Sequence, residues 1–184
     1  AYDLTTGSRN VAVGSEALTN LDTGTDNVAI GRQALEQTTG YSEQVAVGAR
    51  AGRAAVSAQS GVYVGFESGL NISTGDHNTS VGYKTLESLQ SGSENTAIGY
   101  RALGSTTTNG STAVGYLASR NLTTGSANTS LGNSALMTIT SSASNTAIGY
   151  HALKLNTTGA GNTALGAYAG AAVTTGGGLT AVGS

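Results

Sequence analysis

A short apolar motif recurs along the whole chain at an almost constant interval. Each copy ends in an anchor glycine, which is preceded by Val, Ile or Leu, mostly by Ala one residue earlier, and by Val or Thr before that. Large and small side chains therefore alternate, as they do when successive side chains point to opposite faces of a β-strand. The pattern predicts one short strand in each of eleven repeats. The anchor glycines are Gly14, Gly31, Gly48, Gly65, Gly82, Gly99, Gly115, Gly132, Gly149, Gly166 and Gly183.

Nine of the ten intervals between anchor glycines are 17 residues, and the exception is the 16 residues from Gly99 to Gly115. Such regularity is typical of a solenoid, in which each unit buries its apolar face against its neighbours. No apolar stripe with a 3.6-residue period fits inside the unit, and its Val, Thr and Gly content disfavours a helix. We therefore predict an all-β fold, a parallel β-solenoid or β-roll of about eleven 17-residue coils, forming a single repeat domain over residues 1–184.

A second motif follows each anchor glycine, with Ala mostly in third place and Leu often in fourth place. Seven repeats then end in Thr-Gly, which predicts a turn with a positive φ at that glycine. In the strands, the Val, Ile and Leu side chains form a bulky face that must be covered. The opposite face is nearly bare and fits a flattened interior or close contact with another chain. We expect the leucines of the second motif to cap the layer: Leu18, Leu35, Leu86, Leu103, Leu136 and Leu153.

The composition agrees with a thin core built from small residues. Leu, Ile, Val and Phe make up 34 of 184 residues, 28 are Gly, and Pro is absent. The net charge of −2 is too small for a chain that is disordered by self-repulsion. Because Cys is also absent, a disulfide framework and a Cys-based metal site are excluded. We expect no nucleic-acid partner. We also expect no direct membrane insertion, since no run of about 18 apolar residues occurs.

An asparagine lies four residues before the anchor glycine in seven repeats. Stacked asparagines can hydrogen-bond their amides along a column, as in other ladders of identical side chains. Alternatively, each asparagine begins a turn for local reasons. Both interpretations make these residues structural. This Asn column comprises Asn10, Asn27, Asn78, Asn95, Asn128, Asn145 and Asn162.

The segments Asn95–Leu103 and Asn145–Leu153, together with Asn10–Gly14 and Asn27–Gly31, carry a family resemblance. Their Asn-Thr-Ala-Ile-Gly-Tyr-x-Ala-Leu pattern resembles the head repeats of YadA-like trimeric autotransporter adhesins and similar repeats of bacteriophage tail fibres. The resemblance implies a homotrimer, intertwined or side by side, in an extracellular fibre that binds a host surface. It also implies a location outside the cell, at the cell surface or on a virion. The 17-residue period departs from the shorter unit of the adhesin heads.

Candidate catalytic residues are few. Asp22-Thr23-Gly24 matches the aspartic protease tripeptide, but the same place in other repeats holds Thr-Thr-Gly, so we interpret it as a loop variant. His77 and His151 occupy different places in their repeats and have no partner at metal-ligand spacing. We therefore expect no catalytic residue, no metal and no cofactor, and the protein is predicted not to be an enzyme.

An aromatic residue follows the anchor glycine in five repeats, so stacked coils should align these side chains in a stripe. Such a stripe could dock a sugar or a neighbouring chain, or pack as core between protomers or coils. Its members are Phe66, Tyr83, Tyr100, Tyr116 and Tyr150.

Charge is distributed unevenly. Residues 1–94 carry all ten carboxylates and five basic side chains, whereas residues 95–184 carry three basic side chains and no carboxylate. Opposite ends of this kind could join head to tail into a filament. The chain opens on Ala1 with a partial repeat, so we also expect a processed chain or a segment of a longer protein. Copies 49–65 and 167–183 are irregular.

Three functions follow from these observations. The first is a non-enzymatic structural segment of an extracellular fibre involved in surface attachment, with the chain itself and a host-surface glycan or protein as partners. The second is a self-assembling head-to-tail filament. The third is an ice- or carbohydrate-binding solenoid that uses its many Thr residues as a regular surface, although neighbouring threonines on a strand would point to opposite faces.

Overall fold

The computed structural model describes residues 6–183, and all eleven strands in that range are parallel members of one sheet. The all-β parallel solenoid predicted from the repeat is therefore confirmed, with one three-residue strand in each coil. The limits of the predicted domain at residues 1 and 184 lie outside the described residues. The strands are β1 Val11–Val13, β2 Val28–Ile30, β3 Val45–Val47, β4 Val62–Val64, β5 Thr79–Val81, β6 Thr96–Ile98, β7 Thr112–Val114, β8 Thr129–Leu131, β9 Thr146–Ile148, β10 Thr163–Leu165 and β11 Thr180–Val182.

Each strand pairs with the next strand along the chain, and equivalent repeat positions lie side by side. The short repeat keeps this register, since Thr96 of β6 pairs with Thr112 of β7. The missing residue lies between Thr107 and Thr108. The Thr107 amide still donates to the Thr123 carbonyl of the next coil, and the Thr108 carbonyl still accepts a hydrogen bond from Asn95 Nδ2. The shortening is thus confined to a turn, and the sheet is continuous.

The core consists of columns of identical or similar side chains that run along the stack. The middle residue of most strands is a completely buried Ala, and the leucines expected to cap the layer are also completely buried. A further core column, seven residues after the anchor glycine, was not predicted. It includes Leu21, Ile72, Leu89, Leu122 and Ile139, all with no exposed surface. Three columns of modest side chains thus fill a thin interior.

The corners of each coil use the left-handed backbone region unusually often. Among residues 6–183, twenty-five non-glycine residues have φ between 47° and 62°, whereas only a few per cent of non-glycine residues normally have a positive φ. In the coil after Gly31, for example, these residues are Gln33, Leu35 and Glu43. Their amides bond to neighbouring coils, as Gln33 N does to the Ser15 carbonyl at 2.8 Å, so pairing along the stack supports the bends.

The prediction of a positive φ at the Thr-Gly glycines is wrong. Gly24, Gly75 and Gly125 are not among the residues with positive φ, and the left-handed residue follows two places later, as at Asp26. These glycines are needed for space instead. A Cβ on Gly24 would lie 2.6 Å from Leu21 Cδ1 and would also strike the next coil's backbone. Close stacking of coils, not turn geometry, therefore requires glycine there.

Part of the irregularity of copy 49–65 follows from Tyr63, which replaces the usual Ala in β4 and is completely buried. Glycine stands at three positions beside its ring. Gly52 and Gly69 replace core leucines, and Gly61 replaces an asparagine of the Asn column. A Cβ on Gly52 would lie 2.5 Å from the Tyr63 ring. One large side chain thus fills the volume of several smaller ones, and the coil keeps its width.

Candidate functional site

No cluster of side chains suited to metal binding occurs in the described part of the chain. Within residues 6–183, no group of three or more His, Cys, Asp or Glu side chains could hold a metal ion. The same range contains no helix long and apolar enough to cross a membrane. Asp22, the residue of the protease-like tripeptide, lies in an exposed turn. The surfaces with a distinctive structure are instead the outer faces of the solenoid.

The first and third residues of each strand point away from the core and form a surface that we call the outward strand face. Its third-residue column is Val, Ile or Leu in every strand. Six of these eleven residues are exposed, including Val13 at 55%, Leu131 at 45% and Leu165 at 49%, and the other five are half-buried. The bulky face predicted to need a cover is therefore uncovered in the isolated chain. A contiguous row of exposed apolar side chains is typical of an interaction surface.

Four of the five aromatic residues predicted to form a stripe are stacked on one another. The ring centroids are 5.5 Å apart from Phe66 to Tyr83, 5.2 Å from Tyr83 to Tyr100, and 5.1 Å from Tyr100 to Tyr116. The planes of neighbouring rings differ by at most 15°. We call these four residues the aromatic ladder. The Arg50 guanidinium covers the start of the ladder, 5.4 Å from the Phe66 centroid.

Tyr150 is separated from the aromatic ladder by one coil, in which Asn133 takes the aromatic position. Its ring stacks instead on His151, with centroids 3.9 Å apart, and meets Tyr168 edge to face at 5.3 Å. Burial, followed by the positive charge of Lys154, lowers the pKa of His151. The sequence analysis missed this second cluster because His151 and Tyr168 lie two residues after an anchor glycine rather than one.

Stacking determines what the aromatic ladder presents to solvent. Since each ring faces the next ring along the rod, the flat faces contact each other and the ring edges point outward. A sugar that binds to an aromatic platform needs an open ring face. The interior of the ladder does not offer one, because both faces of Tyr83 and of Tyr100 are covered by neighbouring rings.

An alternating row of charges lies beside the aromatic ladder. The Glu67 carboxylate is only 5% exposed and pairs with both Arg50 and Lys84, the latter through Nζ at 3.0 Å. Lys84 also contacts Glu87 at 2.9 Å, and Arg101 approaches the same carboxylate at 3.4 Å. The hydrogen bonds that Lys84 donates to Glu87 and Glu67 raise the pKa of Lys84. Ion pairs between successive coils favour one register of stacking, and most of these carboxylates are therefore already paired.

The Asn column bonds chiefly along the stack. The backbone amide of Asn145 donates to Asn128 Oδ1 at 3.0 Å, and its Nδ2 donates to the same oxygen at 3.1 Å. Asn162 repeats the first of these bonds on Asn145 at 3.0 Å. Asn128 also bonds the Gly125 carbonyl of its own turn at 3.2 Å. The side chains thus connect coils and brace turns together. Other residues occupy the column at Gln44, Gly61, Ser111 and Leu179.

Comparison of this chain with protein-family models, with curated proteins and with solved structures finds no match.

Proposed function

We propose that this protein is a non-enzymatic structural segment of an extracellular fibre involved in surface attachment, and that three copies pack along their outward strand faces. The observation that supports this most is the exposed aliphatic column at the third strand position. It continues through all eleven strands while the interior columns are already filled.

A second copy of the chain is the partner that fits this surface. The outward strand face repeats at the coil spacing of about 4.8 Å over the whole rod, so a matching partner must repeat with the same spacing. Another copy of the chain has that spacing because its coils are identical to those of the first. Three copies around one axis would let each chain bury its aliphatic column at a shared centre, which accords with the trimeric fibres that the repeat pattern resembles.

The native mass of the purified chain tests this proposal. We expect three times the chain mass of 18.1 kDa. The double variant Ile98→Lys and Val114→Lys places charges on the outward strand face and should yield monomers with an unchanged β-sheet spectrum. Ser126→Lys, an exposed substitution on another side of the coil, is the matched control and should remain trimeric. A monomeric wild-type chain would refute the proposal, and open-ended polymers would favour the head-to-tail filament instead.

Ice binding is a second candidate because of one observation. Seven successive strands, from Thr79 to Thr180, begin with an outward Thr beside an outward Val, Ile or Leu. This gives one file of hydroxyls and one of aliphatic groups at a regular spacing, whereas neighbouring threonines elsewhere lie in turns. Thermal hysteresis of the purified protein would favour ice binding, and a trimer that covers this face would count against it.

A further inference from the structure

The aromatic ladder ends at Tyr116, and that end leaves a ring face open. One face of Tyr116 stacks on Tyr100 at 5.1 Å. The next coil offers no ring on the other side, because Asn133 takes the aromatic position there. The following coil carries Tyr150, two coil spacings or about 10 Å from Tyr116 along the rod. The break between them can therefore take one flat ring at the same spacing as the rest of the ladder.

The floor of the break carries a hydrogen-bond donor that is not used within the chain. Asn133 is exposed, and its Oδ1 accepts a hydrogen bond from Ser134 Oγ at 2.8 Å. Its Nδ2 has no hydrogen-bond partner among residues 6–183. An open aromatic face beside a free amide donor suits a pyranose, whose C–H face packs on the ring while a hydroxyl accepts the hydrogen bond.

The charges around the break favour an acidic sugar. Lys154 lies close enough to His151 for its positive charge to contribute to lowering the pKa of that imidazole, and the His151 ring stacks on Tyr150 at one side of the break. Arg120, in the coil of Tyr116, donates instead to Asn121 Oδ1 at 3.1 Å. No carboxylate occurs anywhere in residues 95–184 to neutralise them.

We propose that this break binds one uronic-acid unit of an acidic polysaccharide. The pyranose face packs on Tyr116, Asn133 donates a hydrogen bond to a sugar oxygen, and Lys154 attracts the carboxylate. This inference rests on the proposed role in surface attachment and names the class of ligand that the fibre would recognise. The interior of the aromatic ladder does not bind in this way, since its ring faces are already stacked.

The test measures binding of methyl β-D-glucuronide to the full chain by saturation-transfer NMR and by titration. Neutral methyl β-D-glucoside is the comparison ligand. We expect the glucuronide to bind more tightly than the glucoside and its binding to weaken with salt. Tyr116→Ala and Asn133→Tyr should each weaken binding about tenfold, the first by removing the open face and the second by filling the break. Tyr83→Phe is the matched control within the ladder, since it keeps the faces of Phe66 and Tyr100 covered, and it should leave binding unchanged.

Absence of glucuronide binding, or binding that Asn133→Tyr leaves intact, would overturn the inference. So would a change of native mass in Asn133→Tyr, since a side chain of a neighbouring copy would then be the natural occupant of the break. The native mass of the wild-type sample is measured alongside, so that failure of sugar binding can be distinguished from failure of the trimer.

Discussion

Tyr63 allows the packing of this thin core to be tested quantitatively. It is the largest completely buried side chain in the described core, and its hydroxyl has no hydrogen-bond partner among the described residues. Burial raises the pKa of Tyr63 far above its usual value, as expected for a phenol held in an apolar interior. Two substitutions separate the contribution of the ring from the cost of the hydroxyl.

The two contributions have opposite signs. Burying a tyrosine removes roughly 150–250 Å² from water, which at about 25 cal/mol per Å² stabilises the fold by about 4–6 kcal/mol. An unpartnered buried hydroxyl costs about 1–3 kcal/mol. Tyr63→Phe should therefore raise the free energy of unfolding by about 1 kcal/mol. Tyr63→Ala should lower it by about 3 kcal/mol, because the backbone ladders prevent the coils from collapsing into the cavity.

A combined variant tests whether the three glycines compensate for the size of Tyr63. Combining Tyr63→Ala with Gly52→Leu, Gly69→Leu and Gly61→Asn restores the residues usual at these positions. Leucine tolerates the left-handed backbone there, since Leu35 has φ 49° and Gly52 has φ 56°. The combined variant should recover most of the stability lost in Tyr63→Ala, although each leucine or asparagine added alone to the native chain should destabilise it by overpacking.

Urea denaturation followed by far-UV circular dichroism, at one chain concentration and one oligomeric state, measures these free energies of unfolding. Hydrogen exchange of β3 to β5 checks that the effect is local to the Tyr63 coil. A Tyr63→Phe variant less stable than the native chain would refute the reasoning, because the hydroxyl would then have to be satisfied. Failure of the combined variant to exceed Tyr63→Ala in stability would refute the account of the irregular copy.

Three further predictions concern the backbone, the Asn column and pH. Gly132→Ala should lower the free energy of unfolding by at least about 2 kcal/mol, since its φ is 135° and a Cβ would meet the next coil 2.7 Å away; Gly110→Ala, with φ 62° and open space, should cost less in the same urea titration. Asn145→Ala should cost about 2 kcal/mol in that assay and accelerate exchange of the Asn162 amide, which loses its acceptor; an unchanged exchange rate would contradict this. Because burial lowers the pKa of folded His151 below its unfolded value of 6.5, protonation opposes folding, and stability should fall as pH drops through 6.5; His151→Gln should lack this step.

Much of the fold was predictable from the sequence because its main signals are local and repeated. The alternation of Val-Ala-Ile before each anchor glycine determines which side chains point inward, and a constant interval places equivalent strands side by side. The register of β6 and β7 was less obvious from the sequence, because the interval between their anchor glycines is 16 residues. The structure keeps the register because the missing residue lies in a turn. The repeat thus predicts the order and pairing of the strands better than it predicts the backbone conformation of the corners.

The corners were not predictable for a physical reason. Leu18 and Leu35 adopt left-handed backbone that costs an isolated L-residue roughly 1–2 kcal/mol, so no local preference marks them. The turn glycine was expected to carry that conformation and does not, since contact between coils requires it. The core column at Leu21 was also hidden, because the same position holds Thr38 in one repeat and Asn156 in another.

Charged substitutions at inward and outward positions of a single strand should therefore have different effects. The backbone hydrogen bonds of each coil run along the rod, so they hold the coils together and contribute nothing to contact between chains. Lateral association must come from side chains, and the outward strand face carries an exposed or half-buried aliphatic group in every described coil. A charge at Val114 should separate chains and leave the coils intact, whereas a charge at buried Ala113 should unfold the coils themselves. If Val114→Lys unfolded the chain as severely as Ala113→Lys, the solenoid would depend on its neighbours for folding, and the three chains would form one cooperative unit.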